Sequence, residues 1–447
     1  MERMQQANLT IQAPAPITKT HIGTAIPREK PTKATKRIEN YRQIMGWLVL
    51  TVWTASVLGQ NWDANWHAIV GRDGFWTPPH WMFYSTVTIA GVICAVVVLT
   101  ETWLYYRGKA GVTDENSTSI LFVFRGPVGF ALAGFGMLVM LISAPFDDYY
   151  HRIYGIDVQI WTPFHVMLVL GIIMANLGVV YLLASQINRR HLLTAASSNS
   201  NSTQPLLRLA AYLRPLFQPL TLGLILATIL LMTRYLALML ETFFGGQGVG
   251  NLAIGSLKLP AASLTLASLP LLFVMLNLFT KRIGTATLAG LLYLAWRWLD
   301  GSFTDWGIQN MALERGIASR NTLTGILINT GKSNSFLLMA LVIDGVFLLG
   351  WAWSKWRKPL HPLAMPVLAS LSGGITLFLL ERPWETFNEV VNSLINSSGN
   401  AFGAGLFLRG LLCRPDYWAA LPLVLVIAAL GGVLSTALAI SLRYTDR

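Results

Sequence analysis

Residues 162–185, TPFHVMLVLGIIMANLGVVYLLAS, run without one Asp, Glu, Lys or Arg. A helix needs about 20 apolar residues to cross a hydrocarbon core of roughly 30 Å, so such a run leaves few folds open. Comparable runs recur near 44–60, 80–101, 121–143, 217–241, 262–279, 284–299, 335–353, 362–380 and 418–441. They predict an all-α fold, a polytopic integral membrane bundle of about ten transmembrane helices rather than a barrel, whose strands would read as alternating segments of about ten residues. The run at 284–299 is short, and 402–413 is an alternative re-entrant or interfacial segment. Only 12% of the residues are charged, where soluble domains carry roughly a quarter.

Charge orients the bundle. Residues 1–42 carry eight Lys/Arg against three Glu, and 1–43 reads as a flexible basic tail expected to stay in the cytoplasm. The remaining Lys and Arg fall mostly in loops on the tail's side. This places both termini in the cytoplasm and the chain in the cell membrane, against the lipid bilayer. The formal charge of +12 is then a topology signal and an attraction for anionic lipid. No nucleic-acid partner is expected, because no basic folded face carries interleaved stacking aromatics. Two cysteines, Cys94 and Cys413, cannot build a thiolate cluster, and their different expected depths argue against a disulfide. There is no phosphate-binding loop, dinucleotide fingerprint or Gly-x-Ser-x-Gly, so coupling to a bound nucleotide is not expected.

A Ser/Asn-rich linker at 188–205 separates a four-helix module, 44–187, from a six-helix module, 206–447. The first module repeats itself. NWDANWHAIVGRDGFWTPPH (61–80) and FDDYYHRIYGIDVQIWTPFH (146–165) each join two apolar runs, on the extracytoplasmic side of this topology. Asp63, His67, Gly71 and Asp73 match Asp147, His151, Gly155 and Asp157. After a one-residue insertion, Trp76-Thr77-Pro78-Pro79-His80 matches Trp161-Thr162-Pro163-Phe164-His165. The copies share one orientation, so a pseudo-two-fold axis along the membrane normal would relate them. Connecting segments ordinarily drift first, and their retention here marks a constraint on the segments themselves.

The chemistry of that constraint lies in the spacing. Asp63 and His67, like Asp147 and His151, are four apart and share one face of a helical turn. Thr-Pro-x-His reads as an N-cap, a first-position proline and a histidine in the first helical turn. A helix N-terminus disfavours the imidazolium form, and neutral imidazole is the form that ligates metal. Each copy thus offers one carboxylate and two imidazoles, a set used for non-haem iron and suited to copper and zinc. Asp63, His67, His80, Asp147, His151 and His165 either form two mononuclear sites or converge on one mono- or dinuclear site. Asp73, Asp148 and Asp157 are expected to orient imidazoles. Without metal, Asp-x3-His is a cap, a hydrogen-bonded pair or a solvated turn. Trp62, Trp66, Trp76, Trp81, Tyr149, Tyr150 and Trp161 are expected as an interfacial belt. Haem is disfavoured, since bundles usually place its histidine ligands within the spans.

Asp63-x3-His67-x12-His80 resembles the copper-site motif of the C subunit of particulate methane and ammonia monooxygenases, where the corresponding Asp, His and His bind copper. The second copy, Asp147-x3-His151-x13-His165, is one residue longer, and the likeness covers about 20 residues per copy and none of 206–447. The WDxxWH and WTPPH wording is also similar to a set of uncharacterised polytopic bacterial membrane proteins. The resemblance implies copper ahead of iron or zinc, with redox, oxygenase-like or metal-handling chemistry.

In the second module Arg234 lies inside an expected span, where an unpaired charge is costly; Glu241, Glu381 and Glu385 are its candidate partners. Arg297 and Asp300 lie near a helix end, where snorkelling suffices. The stretches 300–334 and 381–417 read as long outer loops that cover the motif face or meet partner subunits. Two other readings of the chain stand beside the metal protein. One is a metal- or proton-linked transporter, and the other a non-catalytic subunit of a membrane complex. Whether the chain is an enzyme is left open.

Overall fold

The computed structural model describes residues 32–445 except 70–75, 110, 115, 156–162, 195–211, 245–250, 255–256, 261–266, 315–321, 359, 397–417 and 420. It describes backbone alone at 67–69, 191–194, 234–244, 251–254, 257–260, 312–314, 322–334 and 381–396. Among the described residues the protein is all-α apart from two small hairpins. Ten helices follow in order: α1 (Lys33–Ile69), α2 (Pro78–Tyr106), α3 (Val128–Tyr154), α4 (Pro163–Thr194), α5 (Pro219–Phe244), α6 (Pro270–Thr280), α7 (Thr285–Glu314), α8 (Thr322–Trp356), α9 (Ala364–Asn396) and α10 (Leu421–Tyr444). Among the described residues, five contain segments long and apolar enough to cross a membrane: α2, α3, α4 over Pro163–Arg190, α8 over Ser335–Trp356, and α10. Helix α6, with 11 residues, is about 16 Å long at 1.5 Å per residue.

Three sequence readings need correction. The run at 121–143 is not one helix. Its first residues form the turn and second strand of a hairpin, β1 (Thr118–Ile120) with β2 (Phe124–Gly126), in which Ser119 pairs with Arg125. Pro127 then stands at the N-cap of α3, and Leu121 and Phe122 take positive φ at the hairpin tip. Apolarity alone does not distinguish a span from an exposed apolar turn, and Phe122 is 98% exposed. The tail ends earlier than residue 43, because α1 begins at Lys33. Of the expected outer loops, 300–314, 322–334 and 381–396 are helix, since α7 continues to Glu314, α8 starts at Thr322 and α9 runs to Asn396, and 315–321 and 397–417 lie outside the described residues.

Helices α1 to α4 pack as neighbours in a ring, α1 on α2, α2 on α3, α3 on α4, and α4 back on α1. The tightest seam joins α3 and α4. Gly129, Ala133, Gly136 and Met140 of α3 meet Leu182, Gly178, Ala175 and Gly171 of α4 in antiparallel register. A Cβ on Gly136 would sit 2.3 Å from the Ala175 nitrogen, and one on Gly178 2.2 Å from that of Ala133. In lipid, helices gain little from burying apolar surface against each other, so close backbone approach through small residues supplies the packing.

Polar pins cross the apolar interior. Trp53 donates its indole N–H to Asn176 Oδ1 at 2.9 Å, joining α1 to α4. At the end where α1 begins, the Arg42 guanidinium grips Glu101 of α2 through two 2.6 Å hydrogen bonds. Both side chains are buried, at 2% and 0% exposure. Arg42 and Arg189 of α4 also donate to the Asn116 carbonyl and pair with Glu39. At the same end Asn188 donates to the Leu442 carbonyl at 2.7 Å, bringing in α10. Farther along, Asp344 of α8 accepts the backbone N–H groups of Gly284 and Thr287, capping α7 from another helix.

Replacing Gly136 by Val should force α3 from α4 and destabilise the bundle by about 1–3 kcal/mol. Gly345→Ala is the control, because a Cβ there meets nothing within 4 Å and helical propensity favours Ala by up to about 1 kcal/mol. Thermal unfolding in detergent should fall for the first variant and hold or rise for the second.

Candidate metal centre

The site lies at the end of the ring opposite Arg42. Asp147 and His151 occupy the last turns of α3, and His165 the first turn of α4. The seam explains their meeting: each step along α3 toward this end is matched by an equal step back along α4, and continuing it sets Asp147 across from His165. Phe146 and Phe164 stack beside the pair at 5.5 Å. Pro163 opens α4, where its missing N–H removes a donor that has no partner within the helix.

His151 Nε2 lies 3.3 Å from Asp147 Oδ2, and His165 Nε2 lies 3.3 Å from Asp147 Oδ1. One ligand atom from each of the three residues lies within 4.8 Å of the others. All three are shielded yet reachable, at 25%, 17% and 13% exposure for Asp147, His151 and His165. His151 Nδ1 faces the Gly155 carbonyl at 3.4 Å, the kind of contact that holds a ligating imidazole with its proton on the other nitrogen. Gly155 ends the helix at φ 84.

This geometry serves two chemistries. With protons on Nε2, each imidazole donates to the carboxylate, at the long edge of the hydrogen-bond range. With Nε2 deprotonated, three electron-rich atoms face one another, and a cation between them relieves the repulsion. Metal–nitrogen bonds of about 2.0–2.1 Å at tetrahedral angles set neighbouring ligand atoms about 3.3 Å apart.

The first copy shows the corresponding contact. His80 Nε2 lies 3.1 Å from Asp63 Oδ1, between the end of α1 and the first turn of α2. Thr77 holds the N-cap position with extended backbone, followed by Pro78, but its side chain makes no capping hydrogen bond. His67 lies on α1 one turn after Asp63, and its side chain is outside the described residues. Tyr84 stands one turn beyond His80 on α2. Its ring lies 5.9 Å from the His80 ring, and its hydroxyl is within electrostatic reach of both Asp63 and Asp147. Four residues after His80, Tyr84 was visible as a neighbour on one helical face, but nothing in the sequence tied it to Asp147.

The surroundings depart from expectation in several places. Asp148 pairs with Arg152 at 2.7 Å rather than with an imidazole. Asp73, Asp157 and Trp161 lie outside the described residues, as does Cys413. Trp76 and Trp81 are exposed, but Trp62 and Trp66 are buried. Trp62 packs edge-on against Phe303 of α7 at 5.7 Å. Beside it, Asn61 donates to Asp300 at 2.6 Å, and Arg297 approaches the other Asp300 oxygen at 3.4 Å. Asp300 is therefore not a snorkelling surface charge; it is 4% exposed and docks α7 onto the motif end of α1. Arg234 and Glu241 lie on α5, and Glu381 and Glu385 on α9, with side chains outside the described residues.

Asn61→Ala removes a charge-assisted hydrogen bond from a buried carboxylate and should cost about 1.5–3 kcal/mol. Asn61→Asp should cost more, since it sets a second carboxylate against Asp300; thermal unfolding of both variants checks the order.

Compared with models of protein families, with characterised proteins and with solved structures, the chain matches none.

Proposed function

We propose that this chain is an integral membrane protein that holds a transition-metal ion at Asp147, His151 and His165. Asp63, His67 and His80 form the duplicate ligand set beside it. The observation that carries the reading is the convergence of one carboxylate and two imidazoles within 4.8 Å. Asp63 and His80 support it by repeating the same contact between the same two kinds of helix end. The donor set admits copper, iron and zinc, and the likeness of the motif to the monooxygenase copper motif puts copper first. At a solvent-reachable end of the bundle, the metal serves redox chemistry or metal handling.

In this reading the four-helix module is a parallel internal duplication within a ten-span bundle. Both termini are cytoplasmic and the His/Asp end faces outward. The excess of Lys and Arg at the opposite helix ends supports that orientation.

Metal content per chain tests the proposal, measured on purified protein as isolated and after copper loading. Wild type should retain at least one equivalent. His165→Ala and His151→Ala should each weaken binding by at least about 100-fold, beyond the 10–100-fold typical of residues that merely support a ligand. His361→Ala, on the tail-side turn after α8, should bind as wild type does. Folded wild type without tightly bound metal, or metal content indifferent to both ligand variants, would overturn the reading.

A further inference from the structure

At the end of the bundle opposite the His/Asp centre, the α6–α7 turn meets the last turns of α8 and α10. They surround a cavity of about 370 Å³. Lys281, Arg282 and Arg443 line it, and no acidic side chain does among the described residues. Lys281 follows the last residue of α6 in left-handed conformation at φ 55 and is exposed. Arg282 is held in place, donating to the Tyr212 carbonyl and lying over the Tyr212 ring at 5.1 Å. Arg443 comes from α10 immediately after Leu442, whose carbonyl is tied to α4. The guanidiniums are thus carried on anchored elements rather than on a loose chain end.

The rest of the wall is apolar. Phe347 and Trp351 of α8, Leu278 of α6 and Met365 of α9 line the same cavity. Lys355 adds a fourth cation at its margin, its ammonium 3.7 Å from the Trp351 ring centre. Lys281, Arg282 and Arg443 give one side of the cavity a positive lining suited to an anion, while a small inorganic anion would leave the aromatic and thioether wall unused. A molecule with a phosphate at one end and hydrocarbon beside it fits both halves. The position agrees, because α8 and α10 are among the apolar, span-length helices and their ends fall where lipid headgroups lie. Basic pockets between helices at that depth bind anionic headgroups.

We propose that this cleft binds the headgroup of an anionic phospholipid. Lys281, Arg282 and Arg443 take the phosphate, and Phe347, Trp351 and Met365 take the glycerol and first acyl carbons. The site is distinct from the His/Asp centre and does not depend on metal.

The test uses the full chain in detergent with equimolar phosphatidylglycerol and phosphatidylcholine, counting retained lipid by native mass spectrometry. Wild type should retain phosphatidylglycerol over phosphatidylcholine by at least about tenfold, and Lys281→Gln with Arg443→Gln should lower that retention by at least about tenfold. The control removes the same charge at the same end of the bundle, through Arg107→Gln with Lys109→Gln, and should retain lipid as wild type does. Lys281→Gln alone, at an exposed position, keeps the test valid if the double variant does not fold; it should lose several-fold. Equal retention of the two lipids, or equal loss in the control, would overturn the proposal. So would displacement of the lipid by millimolar inorganic phosphate, which would assign the cleft to a soluble anion.

Discussion

The seam between α3 and α4 is the constraint on which the rest of the motif end depends. Gly136 and Gly178 let two backbones come so close that a single methyl group would overlap the opposite chain. Such contact has one register, because the small residues recur every three or four positions on both helices and a slip sets bulky side chains against backbone. Fixing that register at mid-bundle also fixes which residues face each other farther along. Asp147 then stands 3.3 Å from His165. The α1–α2 pairing is looser, with a Cβ on Gly59 3.1 Å from the Phe83 nitrogen, yet Asp63 still reaches His80.

Buried polar contacts act with the seam as register devices. Glu101 and Arg42 are costly to desolvate, and a buried ion pair contributes little net stability against apolar residues of similar size. Breaking it, however, leaves an isolated charge, so alternative packings of α1 and α2 are strongly disfavoured. Asn61 with Asp300 and Trp53 with Asn176 serve the same purpose across other helix pairs. In an apolar bundle, directional contacts add to close packing in choosing between similar arrangements.

The two ends of the molecule consequently differ in chemistry. One carries carboxylates and imidazoles in partly shielded positions, arranged for a cation or for shared protons. The other carries guanidiniums and ammoniums, some neutralised internally by Glu39 and Glu101 and others gathered around the α8–α10 cleft. On the two proposals above, a cationic ligand and an anionic one would have separate places, with the apolar bundle between them.

The sequence by itself determined the helical membrane character. It also determined the positions of α2 and α4, whose starts are written in Thr-Pro-x-His, and the pairing of the Asp and His residues into two matching sets. These are local properties: apolar runs, a proline that can only begin a helix, and side chains one turn apart. Tertiary structure decided what depends on contacts between distant segments. It turned residues 121–126 into a hairpin, because hydropathy does not report whether an apolar residue is covered. It drew Trp62 inward and buried Asp300 against Asn61, a pairing across 239 residues that no spacing rule anticipates. It also brought His165 to Asp147 and set Tyr84 within electrostatic reach of Asp63 and Asp147. Those meetings depend on the register of whole helices, which glycines and alanines far from the site establish through the closeness they permit.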